Sequence, residues 1–280
     1  MTKRQVIQSR WSKRRRAAAL QDANACCDAA WRVSVLDCAG AFETNDMLRN
    51  PHSLFAVALA AFFLSGCHSP QPATRSPQDL LAARTNYPAH WWAPVPTNGA
   101  PGWEILPQAA GPGEVILSKR NELGLLSNFA ATPFTFHGKR YASLEGFWQM
   151  MKYPEGADDP RATFPGIQWP HTREQVTQLA SFEAKHAGDL GEKNMQTMGI
   201  TWVTFEGKRM EYKPTIPGEH YRLIVEATRE KVRQNPDVKK VLLATGDLIL
   251  KPDHHQEPDA PAAWHYFEIL MEIRAEYQSK

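Results

Sequence analysis

The chain has 280 residues, 42% hydrophobic and 22% charged, an ordinary globular composition with enough length for one sizeable core or two small ones. Its 32 Lys and Arg against 30 Asp and Glu are unevenly placed: residues 1–66 hold nine basic and five acidic side chains, leaving 23 against 25 in the rest, a net charge of −2. That balance excludes the basic footprint of a nucleic-acid-binding domain beyond residue 66, and the four cysteines, Cys26, Cys27, Cys38 and Cys67, exclude a disulfide or thiolate metal site beyond residue 67.

In chain order, "SRWSKRRRAAALQDANACCDAAW" joins a basic cluster to a cysteine pair without sustained periodicity; a nucleic-acid arm is the competing reading of the cluster. The apolar run Leu54 to Leu64 is too short for the roughly 20 residues of a membrane span and fits the apolar segment of an export signal. It ends in Leu64-Ser65-Gly66-Cys67, which resembles the lipobox of bacterial lipoproteins and implies that Cys67 is lipidated and becomes the mature N-terminus. An export signal begins near its start codon, so Met47 with Arg49 is the expected start. Residues 1–46 are then a disordered start-site artefact and 47–66 the signal peptide. His68, in place of the Asp associated with inner-membrane retention, favours an outer-membrane anchor facing the periplasm.

Residues 67–112 are expected to form a tether, because nine prolines between His68 and Pro112 fix φ and remove amide donors. "HWWAPVP" within it is either a partner-binding patch or two tryptophans packing back on the domain. The folded domain is expected over residues 113–280. "EVILS" reads as a strand, "FTFHGKRY" as a hairpin turning at His137-Gly138, and "VTFEGKRMEY" as a second turn of similar chemistry, not a repeat.

Ser143 caps a predicted helix running through Lys152. A second starts at Thr172 or Arg173 and runs on through "EQVTQLASFEAKHAG". "GEHYRLIVEATREKVRQ" has helical apolar spacing, Asn235-Pro236 is a cap and first-turn proline opening a helix that Gly246 closes, and "AAWHYFEILMEIRAEY" is the last. The fold class is α+β: one helix-rich domain with a small sheet.

On the helix from Ser143, Leu144, Phe147, Trp148 and Met151 share the core face, and Glu145, Gln149 and Lys152 follow one residue on. Spacing leaves that polar line open between a solvent margin and the wall of a reaction site.

The segment "LGLLSNFAATPFTFHGKRYASLEGFWQMMK" resembles the opening of the NADAR family, the YbiA-like N-glycosidases, through Ser127, Asn128, Phe129, Gly138, Lys139, Tyr141, Glu145, Gln149 and Lys152. "SFEAKHAGDLG" is similar to that family's E-A-K-x-x-G segment, "NPDVKKVLLATGD" to its N-P…T-G-D element, and "ILMEIR" to its final helix. The sequence departs from the pattern at Gly146, where the family has His, and after Trp264, where the family's glycines are missing.

The resemblance implies a YbiA-like fold and hydrolysis of an N-glycosidic bond in a ribosylated or ADP-ribosylated compound, without metal or other cofactor. Glu145 would be the catalytic carboxylate. Lys152 would hold a phosphate or keep Glu145 ionised. Asn128, Gln149, Trp202, Asp247 and Trp264 are the candidate substrate contacts, each with a plainer alternative: an Asx turn for Asn128, core packing for the tryptophans, a turn cap for Asp247. "DHH" at Asp253 to His255 lacks a further ligand at zinc spacing and reads as a solvated loop. The expected partners are a small ribose N-glycoside and, through the lipid anchor alone, a membrane; the alternative is an inactive nucleotide-binding or ADP-ribose-binding lipoprotein.

Overall fold

The computed structural model describes residues 83–257 and 259–280, all within the compact unit Ser76–Lys280. The expected start-site artefact, the signal peptide, Cys67 and the first part of the tether lie outside the described residues.

Turn chemistry builds two of the three strand pairs. Strands β2 (Phe134–Phe136) and β3 (Lys139–Tyr141) pair antiparallel across His137 and Gly138, whose φ values of 48° and 75° make the left-handed two-residue turn that matches strand twist. The same chemistry at Glu206 and Gly207 (φ 51° and 75°) joins β4 (Trp202–Phe205) to β5 (Lys208–Glu211). The two tips meet, with His137 Nδ1 2.9 Å from Glu206 Oε2 and Phe136 stacked 6.1 Å from Phe205. Strand β1 (Glu114–Ile116) pairs in parallel with β6 (Ile249–Lys251), tying the start of the domain to its end. Among the described residues the expected single small sheet is thus three two-stranded ribbons, because helices come between the hairpins in the chain and no strand there is long enough to bridge them.

Helix α1 (Leu144–Met150) starts at Ser143, whose Oγ accepts from Gly146 N at 2.9 Å. It stops short of the predicted end, and Met151 and Lys152 continue as a turn. The long second helix is two helices. Helix α2 (Arg173–Thr177) opens on a capping box between Thr172 and Gln175, and α3 (Ser181–Thr197) begins after a break. The break has a tertiary cause: Leu179 O accepts from Ser143 Oγ at 2.9 Å, Ser181 N donates to Phe129 O at 3.0 Å, and Ser181 takes φ 57°.

Helices α4 (Glu219–Gln234), α5 (Pro236–Ala244) and α6 (Tyr266–Gln278) complete the domain, and Ala262–Trp264 forms a separate short turn before α6. Proline is in the first turn of α5, as its fixed φ allows. Asn235 does not cap with its oxygen; its Nδ2 donates to Lys231 O at 2.8 Å and Pro133 O at 3.1 Å, stitching the end of α4 to the approach to β2.

Helix α1 runs through the centre. Phe147 is fully buried and meets Tyr141, Phe136 and Phe205 edge-on at 4.9, 5.5 and 5.6 Å, so both hairpins pack on it. Residues 83–112, expected to belong to the tether, lie on the domain instead. Trp91 is buried in the core and donates to Glu122 Oε1 at 2.7 Å, and Trp92 donates to Glu114 O at 2.8 Å. Of the two readings of "HWW", packing back on the domain is the one these contacts support; the prolines keep the segment extended while the indoles anchor it.

Candidate functional site

All seven residues of α1 are buried, including the polar ones. Glu145, Gln149 and Lys152 keep 6%, 7% and 2% of their surface, so the polar line is an interior feature and not a solvent margin. Gln149 Nε2 donates to Glu145 Oε1 at 2.7 Å, and Glu145 N donates to Asn128 O at 3.0 Å, which ties the S-N-F backbone to the first turn of α1. Burial raises the Glu145 pKa, opposed by the Gln149 amide and by the charges of Lys185 and Lys152.

Glycines explain how polar groups fit inside. A Cβ on Gly188 would lie 2.0 Å from Gln149 Oε1, and one on Gly191 would lie 3.1 Å from Lys152 Cβ, so α3 crosses α1 closely through its bare positions. Gly188 is the glycine of the E-A-K-x-x-G segment. A Cβ on Gly146 would lie 2.5 Å from Leu179 O and 2.9 Å from Val176 O. No side chain fits there, so the missing His is matched by a close approach of the 176–179 backbone.

Lys152 Nζ donates to Gly188 O at 3.0 Å and to Glu192 Oε2 at 2.9 Å, and Lys213 Nζ reaches the other oxygen, Oε1, at 2.5 Å. Both ammonium groups lie over the Tyr212 ring, at 5.1 and 5.3 Å, and Lys213 is also 5.0 Å from the Trp264 ring. Burial works to raise the Glu192 pKa, but Lys152 and Lys213 outweigh it and hold the carboxyl at about 2. His220 is buried edge-on to Trp148 and Tyr212, at 5.1 and 5.4 Å, and burial, with the Lys152 charge, lowers it to about 4.

The structure therefore brings together Glu145, Gln149, Lys152 and the Asn128 backbone, and links Trp264 to them through Lys213 and Glu192. It does not bring in Trp202 or Asp247. Trp202 has Arg209 3.7 Å over its ring and lines a surface cavity of about 410 Å³ with Glu155, Asp158, Asp159 and Thr204. Asp247 is exposed in the turn after α5, where its amide donates to Tyr87 Oη at 3.2 Å. A second cavity of about 410 Å³ lies between Thr215, Tyr221, Asp259 and His265, so neither of these two hollows opens on Glu145.

The solvated-loop reading of "DHH" is corrected at Asp253. It is 1% exposed, paired with Lys119 and 3.0 Å from His254 Nδ1, and its carbonyl accepts from Ile105 N beside the antiparallel bridge between Glu104 and His254. Among the described residues no three His, Cys, Asp or Glu side chains group to hold a metal ion.

Sequence reasoning missed Glu192, Tyr212, Lys213 and His220. Glu192 had a readable signal, since it follows Gly188 by four residues and shares its helix face. Lys213 had none, being brought in by the fold of the β5–α4 connection.

The fold and site define an α+β domain with a buried Glu-Gln-Lys line on its central helix. No family model matches the chain, and no curated protein matches it closely. Among solved structures the chain is similar to the NMR structure of the Escherichia coli protein YbiA, at 18% identity and a TM-score of 0.38, over 66% of this chain and 94% of that one.

Proposed function

We propose that this chain is an N-glycoside hydrolase acting on a ribosylated or ADP-ribosylated compound. The observation that carries the reading is Glu145, a carboxyl buried on the central helix and hydrogen-bonded to Gln149, on a residue whose backbone amide donates to Asn128 O. A buried carboxylate is a stronger base than one in water. In the proposed step the bond from the ribose anomeric carbon to nitrogen breaks, its electron pair leaving with the base, while positive charge grows on the sugar. Glu145 takes a proton from water as the water oxygen bonds to the anomeric carbon, and that proton passes to the departing nitrogen. Gln149 positions the carboxylate through its amide.

Export as a lipoprotein anchored through Cys67 to the periplasmic side of the outer membrane belongs to the same proposal, supported by the pattern from Met47 to Cys67. At that address phosphorylated cytoplasmic intermediates are scarce, which favours a substrate arriving from outside the cell.

The test is release of free base from ribosyl and ADP-ribosyl compounds by the purified protein, followed by chromatography. Glu145→Gln should lower turnover at least about 100-fold, the usual scale of acid–base catalysis; unchanged turnover removes Glu145 from the mechanism. One observation favours a second reading, binding without hydrolysis: Lys152 is already engaged by Glu192 and Gly188. Saturable binding of ADP-ribose with no base released supports that reading.

A further inference from the structure

Glu145, Gln149 and Lys152 are all buried, so a ligand reaches that line only if part of what covers it moves. The cover is uneven. Of the groups that hold the Lys152 ammonium, Gly188 is buried in α3, whereas Glu192 is 28% exposed and Tyr212 is half-buried. Burial raises the Tyr212 phenol pKa, and the charges of Glu192 and, more weakly, Glu145 add to it, so the ring lies within electrostatic reach of both carboxylates. On that half-open side Lys213 closes the structure: its ammonium lies 2.5 Å from Glu192 Oε1, 5.3 Å from the Tyr212 ring and 5.0 Å from the Trp264 ring.

Lys213 begins the strap that joins β5 to α4, residues 213–218, and the rest of the strap is weakly held. Thr215 and Pro217 are exposed and the apolar Ile216 is 77% exposed, so these side chains bury little. Pro214 and Pro217 have no amide to donate. Among the described residues the one backbone hydrogen bond of residues 213–217 runs from Ala262 N to Pro214 O, at 3.3 Å. Thr215 and Pro217 also border unfilled space, the cavity of about 410 Å³ that they line with Tyr221, Asp259 and His265. A segment with few buried contacts and few backbone hydrogen bonds opens at low free-energy cost, and here room to move adjoins it.

From this arrangement we infer that residues 213–218 form a lid over the Glu145–Gln149–Lys152 line, latched by the Lys213–Glu192 ion pair and by the seat of Lys213 on the Trp264 ring. What enters beneath it rests on the hydrolase reading; the opening itself does not. Released from Glu192 and Trp264, the strap keeps one backbone hydrogen bond to Ala262 and swings about its two ends, Lys213 and Gly218, as hinges at the ends of elements do. That movement bares Tyr212 and Glu192, and behind them Lys152. Closed, the lid keeps bulk water from the Glu145 carboxyl, which a hydrolase needs once its substrate is bound.

The experiment is acetylation of the full chain with acetic anhydride, followed at each lysine by mass spectrometry. Lys231 is the internal control: it is 1% exposed and lies twelve residues into α4 from Glu219, about 18 Å along the axis from the strap. It reacts only when the whole domain unfolds, whereas Lys152 reacts whenever the lid opens, so Lys152 should be modified faster than Lys231 in the native chain. Lys213→Gly removes the latch at a position whose φ of 59° glycine adopts freely. It should speed modification of Lys152 about tenfold, the combined scale of a surface ion pair and a cation–π contact, and leave Lys231 unchanged. Where that variant does not fold, high salt serves on the native chain, since screening the half-exposed pair should raise the Lys152 rate relative to Lys231. Lys152 and Lys231 modified at one rate, or a Lys152 rate indifferent to loss of Lys213 or to salt, overturns the lid. The two proposals fail separately. The expected labelling without base release from any ribosyl compound keeps the lid and removes the hydrolase, whereas base release with Lys152 and Lys231 equally closed does the reverse.

Discussion

At the scale of single residues, the interior holds ionisable groups whose burial is incompletely compensated, and these make the protein's stability depend on pH. Lys231 is 1% exposed, its ammonium donates to Ser127 O at 2.6 Å, and burial brings its pKa from 10.5 to about 7. Below about pH 7 the folded and unfolded chains both carry the proton, and the cost of the buried charge is fully present. Between about 7 and 10.5 the unfolded chain holds a proton that the folded one has released, so stability rises with pH through that window. Each unit of difference is worth ~1.4 kcal/mol. Urea unfolding at pH 7 and pH 9 should show a gain at the higher pH, and Lys231→Met should flatten it; an equal slope in the variant would place the effect elsewhere. His220 acts on the acid side. Its pKa, about 4 in the folded chain against 6.5 ordinarily, means that stability falls as pH drops from about 6.5 towards 4.

At the scale of elements, the glycines of α1 and α3 decide what the central helix can bury. Gly146 faces the carbonyls of Val176 and Leu179, and these are backbone atoms that cannot swing aside. Gly146→Ala should therefore destabilise the domain by about 1–3 kcal/mol, the overpacking range, against the gain of up to about 1 kcal/mol that Ala brings to an unconstrained helical site. Thermal unfolding of the variant checks the sign, and a rise in Tm means that the crossing is looser than described. The sequence made α1, its Ser143 cap and both hairpin turns legible, because each is set by residues within a few positions of one another. It did not show that the helix after Thr172 breaks before Ser181, since that break is imposed by Ser143 and Phe129 from elsewhere in the chain. Glu145, Gln149 and Lys152 were legible as a line through helical spacing. That they are buried was not, because burial depends on Gly188 and Gly191 of another helix. Trp202 and Asp247 fell away for the same reason, as no local pattern says which face of the molecule a distant aromatic or carboxylate will reach.

At the scale of the whole molecule, the segment before the domain is where composition misled. Nine prolines argue against helices and sheets, and residues 83–112 contain none beyond short turns, yet the segment is held down by side chains. Trp91 carries most of that hold. Its indole is 1% exposed, stacks 6.1 Å from Tyr87, and satisfies its N–H on Glu122, so removing it leaves a cavity in the core. Trp92 is the lesser anchor, half-buried, with its N–H on Glu114 O and Arg84 4.8 Å from its ring. If residues 83–112 were only a spacer, either tryptophan could be replaced at a cost within about 0.5 kcal/mol, as for surface positions. Their packing predicts instead that Trp91→Ala lowers the unfolding free energy of the full chain by about 3–5 kcal/mol, with Trp92→Ala clearly smaller. Denaturant unfolding measures both. A small effect at Trp91 would return the segment to the role of a tether and move the start of the folded domain to β1, whereas the expected loss makes the proline-rich strap part of the fold.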